Sequence, residues 1–194
     1  MIISDSMLRK IIKSEILELL TFPKHSKHSG FELYTEDDAE STPSGKSEEA
    51  KLKNAGAGFL IGRIFPEGEI KFLGLVASKK MQNKKGGIYD IPKGKLKKGE
   101  NKFQGAVREC EEESGISVKI SDVIGDPVDY KNLTLFLAAT SQDPKISPNP
   151  DSGIVEHEGF AWLTRDNLVK SCLSYLKPAV RILADRFIDS VDKN

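Results

Sequence analysis

The sequence predicts an α/β fold, a mixed sheet with one helix packed on each side. Three observations carry this. Short apolar runs bounded by Gly, Pro, Asp and Asn recur at 55–65, 70–78 and 132–140. A charge-rich segment, 101–114, places apolar residues at helical spacing and stops at a glycine. From Asp166 onward an apolar stripe again follows the helical period.

Three regions follow in chain order. In the first, residues 1–22, Leu8, Ile11, Ile12, Ile16, Leu19 and Leu20 form one stripe of an amphipathic helix that Ser4 or Asp5 caps. The second, 23–53, is rich in Ser, Glu, Lys and Gly and reads as a polar linker or long loop. Its His25 and His28 read as solvated residues. The third, 54–194, is the expected catalytic domain. AGAGFLIGRIF (55–65) is a strand, 66–69 a turn and IKFLGLVAS (70–78) the returning strand. Residues 79–87 read as a polar loop and IYDIP (88–92) as a short strand. After the 101–114 helix come ISVKI (116–120) and a Gly/Asp/Pro turn. The strand NLTLFLAAT (132–140), a Pro- and Asp-rich loop (141–154) and the strand EGFAWLT (158–164) follow. Leu168, Leu173, Leu176, Val180, Leu183 and Phe187 are the core candidates of the last helix. Trp162 reads as a core anchor at the end of the sheet.

At 194 residues the chain is long enough for one ordinary domain with appendages. Its 29 basic and 29 acidic residues balance, which argues against a global field for nucleic acid or membranes. Two cysteines, Cys110 and Cys172, do not make a disulfide framework. No signal-peptide order opens the chain, and no run approaches the roughly 20 apolar residues of a membrane span. The expectation is a soluble, intracellular, cytoplasmic protein with no membrane partner.

The densest chemical signal is Gly94 to Ile116, GKLKKGENKFQGAVRECEEESGI. Its fixed positions are Gly94, Glu100, Arg108, Glu109, Cys110, Glu112, Glu113, Gly115 and Ile116. Ala106, Val107, Cys110 and Phe103 give the helix its buried face. Glu109, Glu112 and Glu113 then fall at i, i+3 and i+4, on one face. Three crowded carboxylates repel one another, and a hard cation removes that repulsion. Magnesium takes oxygen ligands and keeps places for water and phosphate. Such a cluster suits metal-assisted attack of water on phosphorus. A charge-laced surface helix is the bland alternative. Chance occurrence of the full pattern, on the order of 10⁻⁷ from ordinary residue usage, overrides it. Cys110 occupies the apolar position and reads as a small buried side chain rather than a nucleophile.

This segment matches the complete signature of the Nudix hydrolases, and the chain resembles that family over about 54–189. The resemblance implies an α/β/α sandwich and a magnesium-dependent cut of a diphosphate linked to another group, with Mn2+ as a substitute ion. It implies metal ligation by Glu109, Glu112 and Glu113, joined by the Gly94 carbonyl. It also implies a Glu100–Arg108 ion pair fixing the loop against the helix. The start of the motif, YDIPKGK, resembles the dinucleoside polyphosphate hydrolases and the mRNA-decapping branch. Lys93, Lys95, Lys97 and Lys98 bring positive charge to the metal loop, with Lys93 and Lys95 the first candidates for phosphate contact. Tyr130, 14 residues beyond Ile116 (130 − 116), is the candidate for stacking on a nucleobase. Pro127 stands early for the proline associated with ADP-ribose hydrolysis. Glu158, in VEHEGFAW, is the preferred general base, with Glu109 its rival. His157 reads as an exposed loop residue. The leading function is hydrolysis of a dinucleoside polyphosphate such as diadenosine tetraphosphate. The alternatives are pyrophosphate removal from RNA 5′ ends, ADP-ribose or nucleoside triphosphate hydrolysis, and nucleotide binding without catalysis. The N-terminal helix is a candidate for self-association or a protein contact.

Overall fold

The computed structural model describes residues 55–192. The expected helix of 1–22 and the linker of 23–53, with His25 and His28, lie outside the described residues.

Strand β1 (Gly56–Ile64) is the centre of the sheet. A turn closed by Phe65 N–H to Glu69 O at 2.9 Å leads to β2 (Ile70–Ala77), which returns antiparallel. β3 (Tyr89–Asp90) pairs with the far end of β2, and β4 (Lys93–Lys95) pairs antiparallel with the start of β1. β5 (Val128–Tyr130) and β6 (Leu133–Ala139) form a hairpin, and β6 runs parallel to β1 from Gly56↔Leu133 to Gly62↔Ala139. β7 (His157–Leu163) covers the other edge of β2. The sheet is therefore mixed, as the sequence predicts.

The strand period of two sends alternate β1 residues to opposite layers. Ala57, Phe59 and Ile61 join Leu73, Leu75 and Phe136 under helix α2 (Lys102–Ser114), which contributes Ala106 and Cys110. Phe59, Phe103 and Phe136 pack with ring centroids 5.5–6.0 Å apart. Leu60, Phe72, Leu135 and Leu137 face the opposite layer. There α3 (Arg165–Ser171) contributes Leu168 and α4 (Lys177–Asp192) contributes Val180, Leu183 and Phe187. Each such buried side chain stabilises the fold by about 1.5–3 kcal/mol. Cys110 is fully buried and its thiol is pushed up to about 12, first by burial, so it belongs to the core. Trp162 is half-buried at the sheet end, with the Arg63 guanidinium 4.3 Å from its ring centre and Phe65 edge-on. Among the described residues no helix is long and apolar enough to cross a membrane.

Two elements differ from the sequence reading. Residues 79–87 are not all loop: Lys79–Lys85 forms a short helix, α1, with no buried residue. Its one apolar side chain, Met81, packs partly buried against the core, which leaves no apolar period, and Lys84 and Lys85 stand in the last turn beside the helix dipole. The C-terminal helix is two helices. Thr164 caps α3, and Pro178 sits in the first turn of α4, where its missing N–H leaves no bond unmade. Between them, Ile88 N–H bonds to Ser171 O and Leu173 N–H to Tyr89 O, both at 2.7 Å, tying the link to β3. Leu173 and Leu176 therefore reach the core from this link rather than from a helix.

A Cβ placed on Gly62 would lie 2.5 Å from the Phe187 ring. The glycine lets α4 close onto β1. Gly62→Ala is expected to destabilise the domain by about 1–3 kcal/mol, read as a lower urea midpoint. An unchanged midpoint would contradict this contact.

Candidate active site

Helix α2 is fixed at both ends. Asn101 caps its start in a reciprocal box: Gln104 N–H donates to Asn101 Oδ1 at 2.8 Å, and Asn101 N–H donates to Gln104 Oε1 at 3.1 Å. Gly115 ends it in the left-handed conformation at φ 68°, which favours glycine. Between these caps Glu109, Glu112 and Glu113 point to one side, beside β4.

Arg108 organises that side. Its Nε donates to Glu100 Oε1 at 2.7 Å and its Nη2 to Glu100 Oε2 at 2.9 Å. Nη2 also donates to Lys95 O at 2.9 Å, and Nη1 to Glu109 Oε1 at 2.7 Å and Glu112 Oε2 at 3.3 Å. Glu100 Oε2 accepts the Lys97 N–H at 2.8 Å as well. The Arg108 hydrogen bonds hold the Glu100 carboxyl below its usual range and raise the arginine. The expected Glu100–Arg108 pair is present and extends to Glu109 and Glu112.

Glycine at 94 has a direct steric reason. A Cβ there would fall 2.1 Å from the Glu109 carboxylate. The carboxylate occupies the space that any other residue would fill.

Burial sets the electrostatics. Glu113 is 8% exposed and its Oε2 accepts the Lys93 N–H at 2.9 Å. Its carboxyl is held well above the usual range, first by burial, with Lys93 opposing and Asp90 and Glu109 adding. Glu109 is also raised, by burial first, against the Arg108 hydrogen bond and with repulsion from Glu112 and Glu156. Charging these groups is therefore costly until a cation arrives. Among the described residues no three or more acidic, His or Cys groups are already closed into a metal site. The Arg108 guanidinium instead bridges Glu109 and Glu112. The donor set is oxygen only, the space beside Gly94 is built for a carboxylate, and the charge is in excess. These residues fit a hard divalent cation.

An open cleft of about 480 Å³ fronts this face, walled by Lys93, Gly94, Lys95, Arg108 and the three glutamates. Its other wall is the loop ending at Glu156, with Asn149, Asp151 and Ser152. Asn149 Oδ1 accepts the N–H groups of Asp151 at 2.9 Å and Ser152 at 3.1 Å, which folds the loop on itself. Asn149 Nδ2 then donates to Glu112 Oε2 at 3.3 Å and Glu156 Oε1 at 3.4 Å. The Lys97 ammonium links the two walls, 2.8 Å from Asp151 and 3.5 Å from Glu112.

Gly94, Glu100, Arg108, Glu109, Glu112 and Glu113 thus come together, and Lys95 stands exposed at the cleft rim. Lys93 lines the cleft, but its ammonium is turned to Asp90 at 2.8 Å and its side chain is only 13% exposed. Tyr130 does not line the cleft. It packs against the core on the α3 and α4 side, with the Lys131 ammonium 5.2 Å from its ring centre. Glu158 is exposed on β7 and is not a cleft residue, whereas Glu156, two positions earlier, is. Residues two apart on a strand share a face, so alternation does not separate the two; Glu156 precedes the strand, which begins at His157, and belongs to the cleft loop. His157 is not exposed, as the sequence reading has it, but 6% exposed, with its Nδ1 unpaired and its Nε2 4.0 Å from Asp90 Oδ2. Asp90, Asn149 and Asp151 are site residues that sequence reasoning missed. Only Asp90 had a signal, as a charge inside an apolar strand three residues before a lysine.

A NUDIX domain model matches residues 64–185. A C. elegans Ap4A hydrolase in a binary complex has a similar structure: TM-score 0.52, 23% identity, covering 69% of this chain and 98% of that one. A Listeria monocytogenes protein of the NUDIX class has TM-score 0.52 and 14% identity, covering 70% of this chain and 94% of that one. At these identities the likeness shows the fold. No curated protein matches the sequence.

Two outcomes follow. Glu109 and Glu113 have folded-state values raised above their unfolded ones, so the folded chain holds protons that the unfolded chain has released. Metal-free stability should therefore fall as pH rises through and above the ordinary carboxylate range. Mg2+ should raise Tm more at pH 8 than at pH 5. Metal-free Glu113→Gln should melt about 3 °C above the wild type at pH 8. Equal Mg2+ shifts at both pH values would contradict this. Separately, Arg108→Lys cannot reproduce the fork and should destabilise the domain by about 1–3 kcal/mol in urea unfolding.

Proposed function

This chain belongs to the NUDIX family, and we propose that it is a magnesium-dependent pyrophosphohydrolase whose first substrate class is the dinucleoside polyphosphates. The observation that carries the reading is the single face of Glu109, Glu112 and Glu113 opening, past Gly94, onto a cleft with Lys95 and Lys97 at its rim. The three glutamates and the Gly94 carbonyl would hold the ion. When bound, the ion neutralises phosphate oxygens and activates water.

The protein's own groups divide the remaining work. Lys95 and Lys97 supply mobile positive charge for a phosphate chain longer than one diphosphate. Lys97 is held by Asp151 in the free enzyme, so substrate phosphate competes with that carboxylate. Arg108 would keep its bidentate hold on Glu100 while Glu109 and Glu112 serve the ion. Glu156 faces the same cleft as Glu109 and is the better placed base to take the proton of the attacking water. The motif YDIPKGK and the cleft lysines support the dinucleoside polyphosphate class, and the similar C. elegans protein is named for an Ap4A substrate. Tyr130, turned to the opposite layer, lends no support to base stacking.

The test is a panel with Mg2+: diadenosine tetraphosphate, ADP-ribose, a nucleoside triphosphate and a 5′-triphosphorylated RNA, with products separated. Preferred cleavage of diadenosine tetraphosphate to mononucleotides is expected. Preference for RNA or ADP-ribose would discard the substrate class and keep the chemistry. Glu109→Gln should lower kcat by at least about 10²-fold with the fold intact, and Glu156→Gln by about 10²–10⁴-fold. Glu158→Gln should stay within about threefold of the wild type. The reverse order of Glu156 and Glu158 would move the base to Glu158.

A further inference from the structure

Lys93 is fixed at both ends, and by different partners. Its backbone N–H donates to Glu113 Oε2 at 2.9 Å. Its ammonium donates to Asp90 Oδ2 at 2.8 Å, with side chains 13% and 5% exposed. Asp90 is held in turn: its Oδ1 accepts the Ile91 N–H at 2.8 Å, and His157 stands on its other side. Tyr175 and Glu113 complete the surroundings of the ammonium. One buried cation therefore has two carboxyl neighbours, Asp90 and Glu113. It pairs with Asp90 alone; among the described residues no ion pair joins Lys93 to Glu113.

That choice matters to the cleft. Between side chains buried as deeply as these, attraction between opposite charges is strong. An ammonium resting on Glu113 would neutralise a ligand and repel the incoming cation. An N–H group on the same oxygen orients the carboxylate without cancelling its charge. Lys93 is thus a poor candidate for phosphate contact, since its charge is already committed inside the protein.

We propose that Asp90 is a positioning residue of the metal site: it anchors the Lys93 ammonium, so that Glu113 stays free of an ion pair and open to the cation while the Lys93 N–H aims it. The inference rests on the reading of Glu113 as a metal ligand.

Mn2+ titration of the full-length chain, following the electron spin resonance of the free ion, tests it, with thermal melting to confirm folding. Asp90→Asn frees the ammonium to move onto Glu113 and should weaken Mn2+ binding about 10-fold or more. Asp90→Asn with Lys93→Met removes both charges and should return the affinity to within about threefold of the wild type. A purely structural role for Asp90 predicts no such rescue. A folded Asp90→Asn variant with wild-type affinity would overturn the inference, as would a folded double variant that remains about tenfold weak. If Asp90→Asn does not fold, the double variant alone decides by the same threshold. A wild type that binds no Mn2+, or binds it undiminished by Glu112→Gln, would overturn the metal-site reading and this inference with it. Wild-type binding that Glu112→Gln weakens and Asp90→Asn leaves unchanged would overturn this inference alone.

Discussion

The carboxylate wall of the cleft depends on the guanidinium of Arg108. It has five N–H donors in a rigid fork, and all five are used: two on Glu100, one each on Lys95 O, Glu109 and Glu112. Through Glu100 and Lys95 it ties the loop after β4 to α2. Through Glu109 and Glu112 it spaces two carboxylates that would otherwise repel. One side chain thereby sets both the backbone path and the charge separation of the face. A lysine has the charge but not the fork, so it cannot hold the loop and the carboxylates together.

The arrangement is stable without being comfortable. Glu113 is nearly buried, Glu109 is half-buried, and both are raised by loss of water before any neighbour is counted. Sites that depart from what stability alone would choose are where function is concentrated. The protein limits the cost with charges of opposite sign placed one layer away: Arg108 outside the carboxylates and Lys93 beneath them. Lys93 in turn is balanced by Asp90. The alternation of charge runs from cleft to interior, and the fold provides it by pairing β3 and β4 with successive parts of β2 and β1.

The sequence makes the carboxylate face legible because its cause is local. Helical spacing alone puts Glu109, Glu112 and Glu113 together, and Asn101 and Gly115 mark the ends of their helix. The apolar alternation of 55–65 and 132–140 likewise reveals the central parallel pair. What stays hidden depends on contacts distant in sequence. α1 leaves no trace, because a single partly buried side chain, Met81, reaches the core and one apolar residue makes no period. The break between α3 and α4 is concealed because Leu173 and Leu176 continue an apolar stripe while serving the core from a link. Lys93 looks like a phosphate ligand until Asp90 is seen beside it. Glu156 and Glu158 are indistinguishable by type, and only where β7 begins separates them. The region 1–53 lies outside the described residues almost to its junction with β1, so its helix and linker stand as sequence readings.

The central claim is that Glu109, Glu112 and Glu113 would hold a divalent cation beside Gly94 while Arg108 stays forked on Glu100. Anomalous diffraction from crystals grown with Mn2+ tests it most directly. The account predicts a peak ringed by Glu109, Glu112 and Glu113 beside Gly94, with Arg108 withdrawn from Glu109 and Glu112 and still forked on Glu100. A peak elsewhere, or none with Arg108 still bridging the two carboxylates, would contradict it.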